Sequence, residues 1–232
     1  MVERISVIIA ARNEESVLPA LLRRLRGMDW LAAGWSEPAT IVVADGGSQD
    51  ATPDLARTSG CVVVRVPGTR GAQWNAAVRV TQSDVLWFLH ADTVPPVSAP
   101  RLIRELVREP GVIGGGFALR FDPPCALLRA IAWGSDLRAR RLHVFFGDQA
   151  PFVLRTAFAS VGGFPDEPLM EDLLLSRRLR RLGRLAWIPM PVTTSARRFL
   201  QGGVVRTLLR MQWLKLLLHL GVSPRRLATM YR

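Results

Sequence analysis

Four short runs of apolar and β-branched residues, ISVIIAA at 5–11, TIVVAD at 40–45, CVVVRVP at 61–67 and DVLWFLHAD at 84–92, most constrain the fold of this chain. Each is too short for a typical helix and too continuously apolar for a strand with one wet face, so each reads as a strand buried on both sides. The intervening segments 15–27, 50–59 and 70–82 carry apolar residues at helical spacing, as with Leu18, Leu21, Leu22 and Leu25. Strands alternating with helices predict βαβ units and a mostly parallel, Rossmann-like α/β sheet.

Beyond Pro110, GVIGGGFALRFD predicts a strand whose three adjacent glycines let the backbone pass close to something bound. A helix is expected over roughly 125–141, a loop and strand at FFGDQAPFVLR, a helix from about Met170 to Leu182 ending at Gly183, and a last strand at LAWIPMPV. Residues 201–232 read as two helices broken between Gly221 and Pro224. Arg206 and Arg210 fall on one side of the first, and Lys215 and His219 near the opposite side, so its cations form no single stripe. The 232 residues fit a single domain over 1–200 with a C-terminal helical extension over 201–232.

A balance of 31 Lys+Arg against 19 Asp+Glu, net +12, favours phosphate-bearing partners. Two cysteines without a CxxC pair argue against a disulfide framework and a zinc site, and favour a reduced, cytoplasmic setting. The apolar run at the N-terminus is short and soon charged, unlike a signal peptide, and no stretch of about 18 uncharged apolar residues predicts a membrane span.

Ligands of an open parallel sheet gather beyond the carboxyl ends of its strands. There the chain places Arg12, Asn13, Glu14 and Glu15, then Asp45, Ser48 and Asp50, then Arg70, then His90 and Asp92. Ser48 and Asp50 read as turn and capping residues, and Asn13 and Glu14 equally as caps or ligand contacts. Asp45 follows an apolar run, and its acceptor-only side chain can take a hydrogen bond from a base N–H. Asp92 stands at the mouth of a buried strand. One such carboxylate suffices for Mg²⁺ or Mn²⁺ when diphosphate oxygens supply other ligands. His90 alone reads as a satisfied, partly buried histidine. Glu171 and Asp172 open a helix: its dipole accounts for one acid, and a pair facing the sheet edge includes a candidate general base.

In order and spacing, SVIIAARNEE, VVADGGSQDAT, RGAQWNAA, FLHADT, GGF and MEDLLLSRRLRRLG resemble the family-two glycosyltransferases of the glycosyltransferase-A fold, over residues 5 to about 190. FLHADT, FFGDQAPFV and the tail look like the small bacterial selenodomain-associated or arsenosugar-biosynthesis transferases. The resemblance implies a nucleotide-sugar half over about 1–110, an acceptor half over about 111–200, and inverting transfer from a UDP- or GDP-sugar to a small or lipid-linked acceptor. It places Glu14 and Asp45 at the nucleoside, Asn13, Arg70, Asn75, His90 and Ala91 along the donor, and Arg197 and Arg198 at the diphosphate. Asp92 matches the last acid of an Asp-x-Asp metal motif, with His90 where the first aspartate is usual. Asp172 matches the catalytic base, with Glu171 beside it, and Asp148 and Gln149 fall near the acceptor.

Two rival readings rank lower. GTRG at 68–71 invites a nucleotidyltransferase, but a phosphate loop belongs after the first strand, where this chain has RNEE. A noncatalytic basic module on nucleic acid or an anionic membrane has no need of ordered acids at strand ends, and nucleic acid is not an expected partner. The tail is expected to pack on the domain or on a second subunit of a homodimer, ahead of peripheral contact with the inner membrane face.

Overall fold

The computed structural model describes residues 2–231. Eight strands form one sheet: β1 (Ile5–Ala11), β2 (Thr40–Asp45), β3 (Val62–Arg65), β4 (Val85–His90), β5 (Thr93–Val94), β6 (Val112–Asp122), β7 (Phe152–Leu154) and β8 (Arg184–Ser195), in the order β3-β2-β1-β4-β7-β6-β8-β5. The first four pair in parallel; β7 joins β4 and β6 antiparallel, β6 and β8 are parallel, and β5 closes antiparallel on β8. The crossovers are α1 (Leu18–Arg26), α2 (Thr52–Thr58) and α3 (Arg70–Arg79), as the alternating pattern predicts.

Register positions the site. Ala11 pairs with Asp45 and Ala10 with His90, so β1, β2 and β4 end level with one another. Successive residues of β1 feed opposite layers: Val7 and Ile9 pack with Leu18, Leu21 and Trp87, whereas Ile8 packs with Trp74, Phe88 and Phe145. Burial on both faces is what a continuous apolar run, without alternation, encodes.

The remaining helices are α4 (Ala99–Val107), α5 (Ala126–Leu142), α6 (Arg155–Ser160), α7 (Glu171–Leu179), α8 (Arg197–Gly202), α9 (Val204–His219) and α10 (Pro224–Tyr231), with a 3-10 turn at Gly147–Gln149. Helices α4, α6 and α8 lie outside the sequence expectations. In α4, Pro100 occupies the first turn, where a missing N–H is no loss. Helix α7 is shorter than expected at both ends: Met170 takes a left-handed conformation with φ 64°, and beyond Leu179 the chain tightens into a turn in which the Arg181 and Leu182 N–H groups bond carbonyls three residues back.

The glycines of β6 meet protein. A Cβ on Gly115 would collide with the Ala186 carbonyl and the Phe152 ring, and one on Gly116 with the Phe145 ring. The expectation of a bound group beside them is corrected: close packing of β7, β8 and Phe145 requires them.

The tail packs on the domain, burying Leu214 and Leu227. Arg177 Nη2 lies 2.6 Å from His219 Nε2, linking α7 to α9, and His219 Nδ1 lies 2.7 Å from the Lys215 carbonyl oxygen. Cys61 and Cys125 are free. No helix among the described residues is long and apolar enough to cross a membrane.

Candidate active site

Three adjoining cavities open beyond the ends of β1 and β4. The largest, about 630 Å³, is lined by Ala10, Glu14, Arg70, His90, Ala91, Asp92, Asp148, Arg197, Arg198 and neighbouring residues of β8 and α8. A recess of about 110 Å³ shares Arg70, His90, Asp148 and Arg198 with it and adds Asp172, Met170 and Lys215. A groove of about 460 Å³ between α5 and α9 joins both at Asp148 and Met211.

Glu14 and Asp92 are the carboxylates of the large cavity on β1 and β4. Burial raises the Glu14 pKa against the opposing pull of Arg197, and Asp92 adds to the rise. Arg197 Nη2 donates to both Glu14 oxygens at 3.1 and 3.2 Å. Burial likewise raises Asp92, with Arg197 and Arg198 opposing. Two partly desolvated carboxylates thus face one cavity, with arginines from the start of α8 beside them.

His90 is held neutral. Burial, then Arg70 and Arg198, push its pKa well below the usual 6.5. Arg70 Nη1 lies 3.3 Å from His90 Nε2, and because guanidinium can only donate, Nε2 accepts and the ring proton is assigned to Nδ1. Arg70 in turn donates from Nε to Glu171 Oε1 at 2.5 Å and lies over the Trp74 ring. Burial alone would lower the Arg70 pKa, but Glu171 and Asp172 outweigh it and hold the pKa above its ordinary value. Glu171 is 1% exposed and sits behind Arg70, outside all three cavities.

Asp172 reaches the recess with both oxygens fixed: Gly147 N–H donates to Oδ2 at 2.9 Å and Leu173 N–H to Oδ1 at 2.7 Å. Gly147 must lack a side chain, since a Cβ there would run into the His90 ring. Asp148 borders all three cavities, its Oδ1 buried with no hydrogen-bond partner. Burial raises its pKa, Arg138 opposing and Asp172 reinforcing.

Other expected ligand residues serve the scaffold. Asn13, at φ 54°, donates its N–H to Ser48 Oγ and accepts from Gln49 N–H, stapling two loops. Asn75 gives both amide atoms to the Phe164 backbone, at 2.8 and 3.0 Å. Gln149 is fully buried, accepting from Arg138 and donating to the Phe117 carbonyl. These three side chains are hydrogen-bonded to protein and line none of the three cavities. Asp45 is also enclosed: Ser48 N–H binds its Oδ1, and its Oδ2, 3.6 Å from Arg65 Nε, has no hydrogen bond.

Sequence reasoning missed Arg138 on α5 and Lys215 on α9. They lie over the same Phe146 ring, at 3.7 and 4.8 Å from its centroid, and line the groove together. Burial, then Arg138, lowers the Lys215 pKa to about 8. The available signal was one lysine inside the apolar run MQWLKLLLHL. Among the described residues no three His, Cys, Asp or Glu side chains cluster as a metal site.

The profile of the family described as "Glycosyl transferase family 2" matches residues 6–158. An undecaprenyl-phosphate 4-deoxy-4-formamido-L-arabinose transferase of Pseudomonas paraeruginosa is 32% identical over 122 residues, 49% of this chain and 35% of that protein. The chain therefore spans about a third of that relative's length. Among solved structures, a mannosyltransferase from Pyrobaculum calidifontis in complex with GDP-Man and Mn²⁺ superposes with TM-score 0.64 at 19% identity, covering 83% of this chain and 56% of that one. Glucosyl-3-phosphoglycerate synthase from Mycobacterium tuberculosis, in complex with Mn²⁺, UDP and glucosyl-3-phosphoglycerate, gives TM-score 0.61 at 21% identity, covering 82% and 70%. At these identities the likeness establishes a shared fold.

Proposed function

Because this chain belongs to glycosyl transferase family 2, we propose that it moves a sugar from a nucleotide-sugar donor to an acceptor, with inversion at the anomeric carbon. The observation that carries this reading is the shared wall of Arg70, His90, Asp148 and Arg198, which sets the Asp172 recess directly against the large cavity holding Glu14 and Asp92. Donor and acceptor can therefore meet without a conformational relay.

The donor's diphosphate is assigned to the Asp92 end of the large cavity. The residues there fit Mg²⁺ or Mn²⁺: Asp92 supplies hard oxygen, Glu14 and Asp92 raise the local negative potential, and a single protein carboxylate suffices when diphosphate oxygens and water complete the shell. When bound, such a cation neutralises charge on the diphosphate as a Lewis acid. Arg198, and Arg197 on release from Glu14, add fixed positive charge around the leaving group. His90 keeps Arg70 in place as a neutral acceptor, and Glu171 anchors the same guanidinium from behind.

Asp172 takes the proton of an acceptor hydroxyl, or of a monoprotonated acceptor phosphate, as that oxygen bonds to the anomeric carbon and the nucleoside diphosphate leaves. Its two backbone donors hold the carboxylate in one orientation. Burial raises the Asp148 pKa, with Arg138 opposing and Asp172 adding to the rise, so negative charge is disfavoured on Asp148 beside Asp172. The groove between α5 and α9 suits an acceptor with an apolar body, lined as it is by Leu127, Ile131, Phe199, Leu208 and Met211, and with an anionic group at Arg138 and Lys215. A lipid phosphate has that chemistry, and the curated relatives are named as undecaprenyl-phosphate transferases.

Incubation with UDP- and GDP-sugars, Mn²⁺ and a short polyprenyl phosphate, followed by chromatography, is expected to yield a glycolipid and free nucleoside diphosphate. Turnover by Asp172→Asn at the wild-type rate would exclude the assigned base.

A further inference from the structure

One face of α9 has no part in the chemistry assigned above. The helix turns Leu214 into the domain and Met211 and Lys215 toward the cavities. Val205, Leu209, Trp213 and Leu216 on α9, with Leu220 just past its end, stand 56, 63, 55, 49 and 71% exposed. Spacings of four, four, three and four residues align these five along one side of the helix. A chain of large apolar side chains facing water, three turns or more in length, is unusual on a globular surface and marks something that covers it.

The charge distribution indicates what that is. From residue 173 to the end the sequence contains 13 Lys or Arg and no Asp or Glu, so the whole net charge of +12 resides there and the preceding part is close to neutral. Arg206, adjacent to Val205 on α9, and Arg225 and Arg226 on α10 are exposed. A second copy of the chain, docked face to face on this stripe, would bring two such cationic segments together. An anionic bilayer surface instead complements them, while its acyl boundary takes the Leu side chains and its headgroup layer takes the indole of Trp213.

We propose that the Val205, Leu209, Trp213, Leu216 and Leu220 face of α9 docks on a membrane surface rich in anionic lipid, with the helix lying in the plane of the interface. On the helix, this face adjoins the one that lines the groove with Leu208, Gln212 and Lys215, so docking holds the groove beside the lipid surface. The inference is independent of the transfer reaction, because nucleotide binding is assigned to the opposite side of the groove, at Glu14 and Asp92.

Flotation with phosphatidylcholine vesicles, with and without phosphatidylglycerol, tests it on the full chain. The wild type is expected to float with the anionic vesicles, less so as salt is raised. Leu209→Gln combined with Trp213→Gln, both at exposed positions, is expected to weaken that binding by about tenfold or more, with an unchanged melting temperature and an unchanged response to nucleotide. Three results would each overturn the proposal: no flotation with either vesicle, equal flotation of the double variant, or a wild-type dimer that the double variant converts to a monomer. A preserved nucleotide response in any of these would leave the transferase reading standing.

Discussion

The proposed base Asp172 is held in one orientation: two backbone N–H groups bind its carboxylate, and Gly147 can supply one of them only because it has no side chain to strike His90. Asp172→Asn removes the proposed base and leaves one of the two backbone N–H groups facing an amide NH2 instead of an acceptor, so turnover should fall by at least about 10²–10⁴-fold, with donor affinity by calorimetry nearly unchanged. Asp92→Ala should weaken donor affinity by at least about tenfold in Mn²⁺ and little in its absence, and equal loss under both conditions would remove the metal role. Lys215 carries a pH signature. Its folded pKa of about 8 lies below the ordinary 10.5, so below pH 8 the fold bears the full cost of a buried charge. Between about 8 and 10.5 the folded lysine sheds its proton while the unfolded one keeps it, and stability rises with pH. Lys215→Met should therefore melt higher than the wild type at pH 7, with the gap closing across that window. Parallel melting curves over the whole range would contradict the burial argument. The acids Glu14, Asp92 and Asp172 were legible in the sequence because each stands where a strand or helix begins or ends. Lys215, Arg138 and the pairing of Arg197 with Glu14 were not, since they depend on contacts between distant segments that no local pattern records.

At the scale of elements, three departures from the sequence reading have separate physical causes. Helix α4 lay outside the expectations; it tolerates Pro100 because that residue sits inside the first turn, where no N–H is needed. The glycines of β6 looked like room for a ligand, and instead they admit the Ala186 carbonyl and the rings of Phe145 and Phe152. Gly115→Ala should accordingly destabilise the fold by about 1–3 kcal/mol, read as a lowered denaturation midpoint, and an unchanged midpoint would mean that β6 and β8 are free to separate. Helix α9 hid its design because it is apolar on two sides. One side packs Leu214 into the domain and another faces out with Leu209 and Trp213, so its cations fall between them and no single stripe emerges.

Across the whole molecule, the register of β1, β2 and β4 converts three apolar runs into a level edge, and the acids at that edge become one cavity. The parallel half of the sheet was legible because burial on both faces of β1 and β4 leaves continuous apolar runs, whereas the apolar run of β3 belongs to an edge strand that stays partly exposed, against the expectation. The other half, where β7 inserts antiparallel between β4 and β6, was not, because strand order there is set by long-range pairing. The central claim is that this edge binds a nucleotide-sugar through Asp92 and a divalent cation. A thermal-shift titration with UDP- and GDP-sugars, with and without Mn²⁺, tests it most directly, since a ligand at 100 times its Kd adds about 2.7 kcal/mol to native stability. One of these donors with Mn²⁺ should raise the melting temperature by roughly 5–10 °C, and Asp92→Ala should abolish most of the rise. No shift with any nucleotide, with or without the cation, would contradict the account.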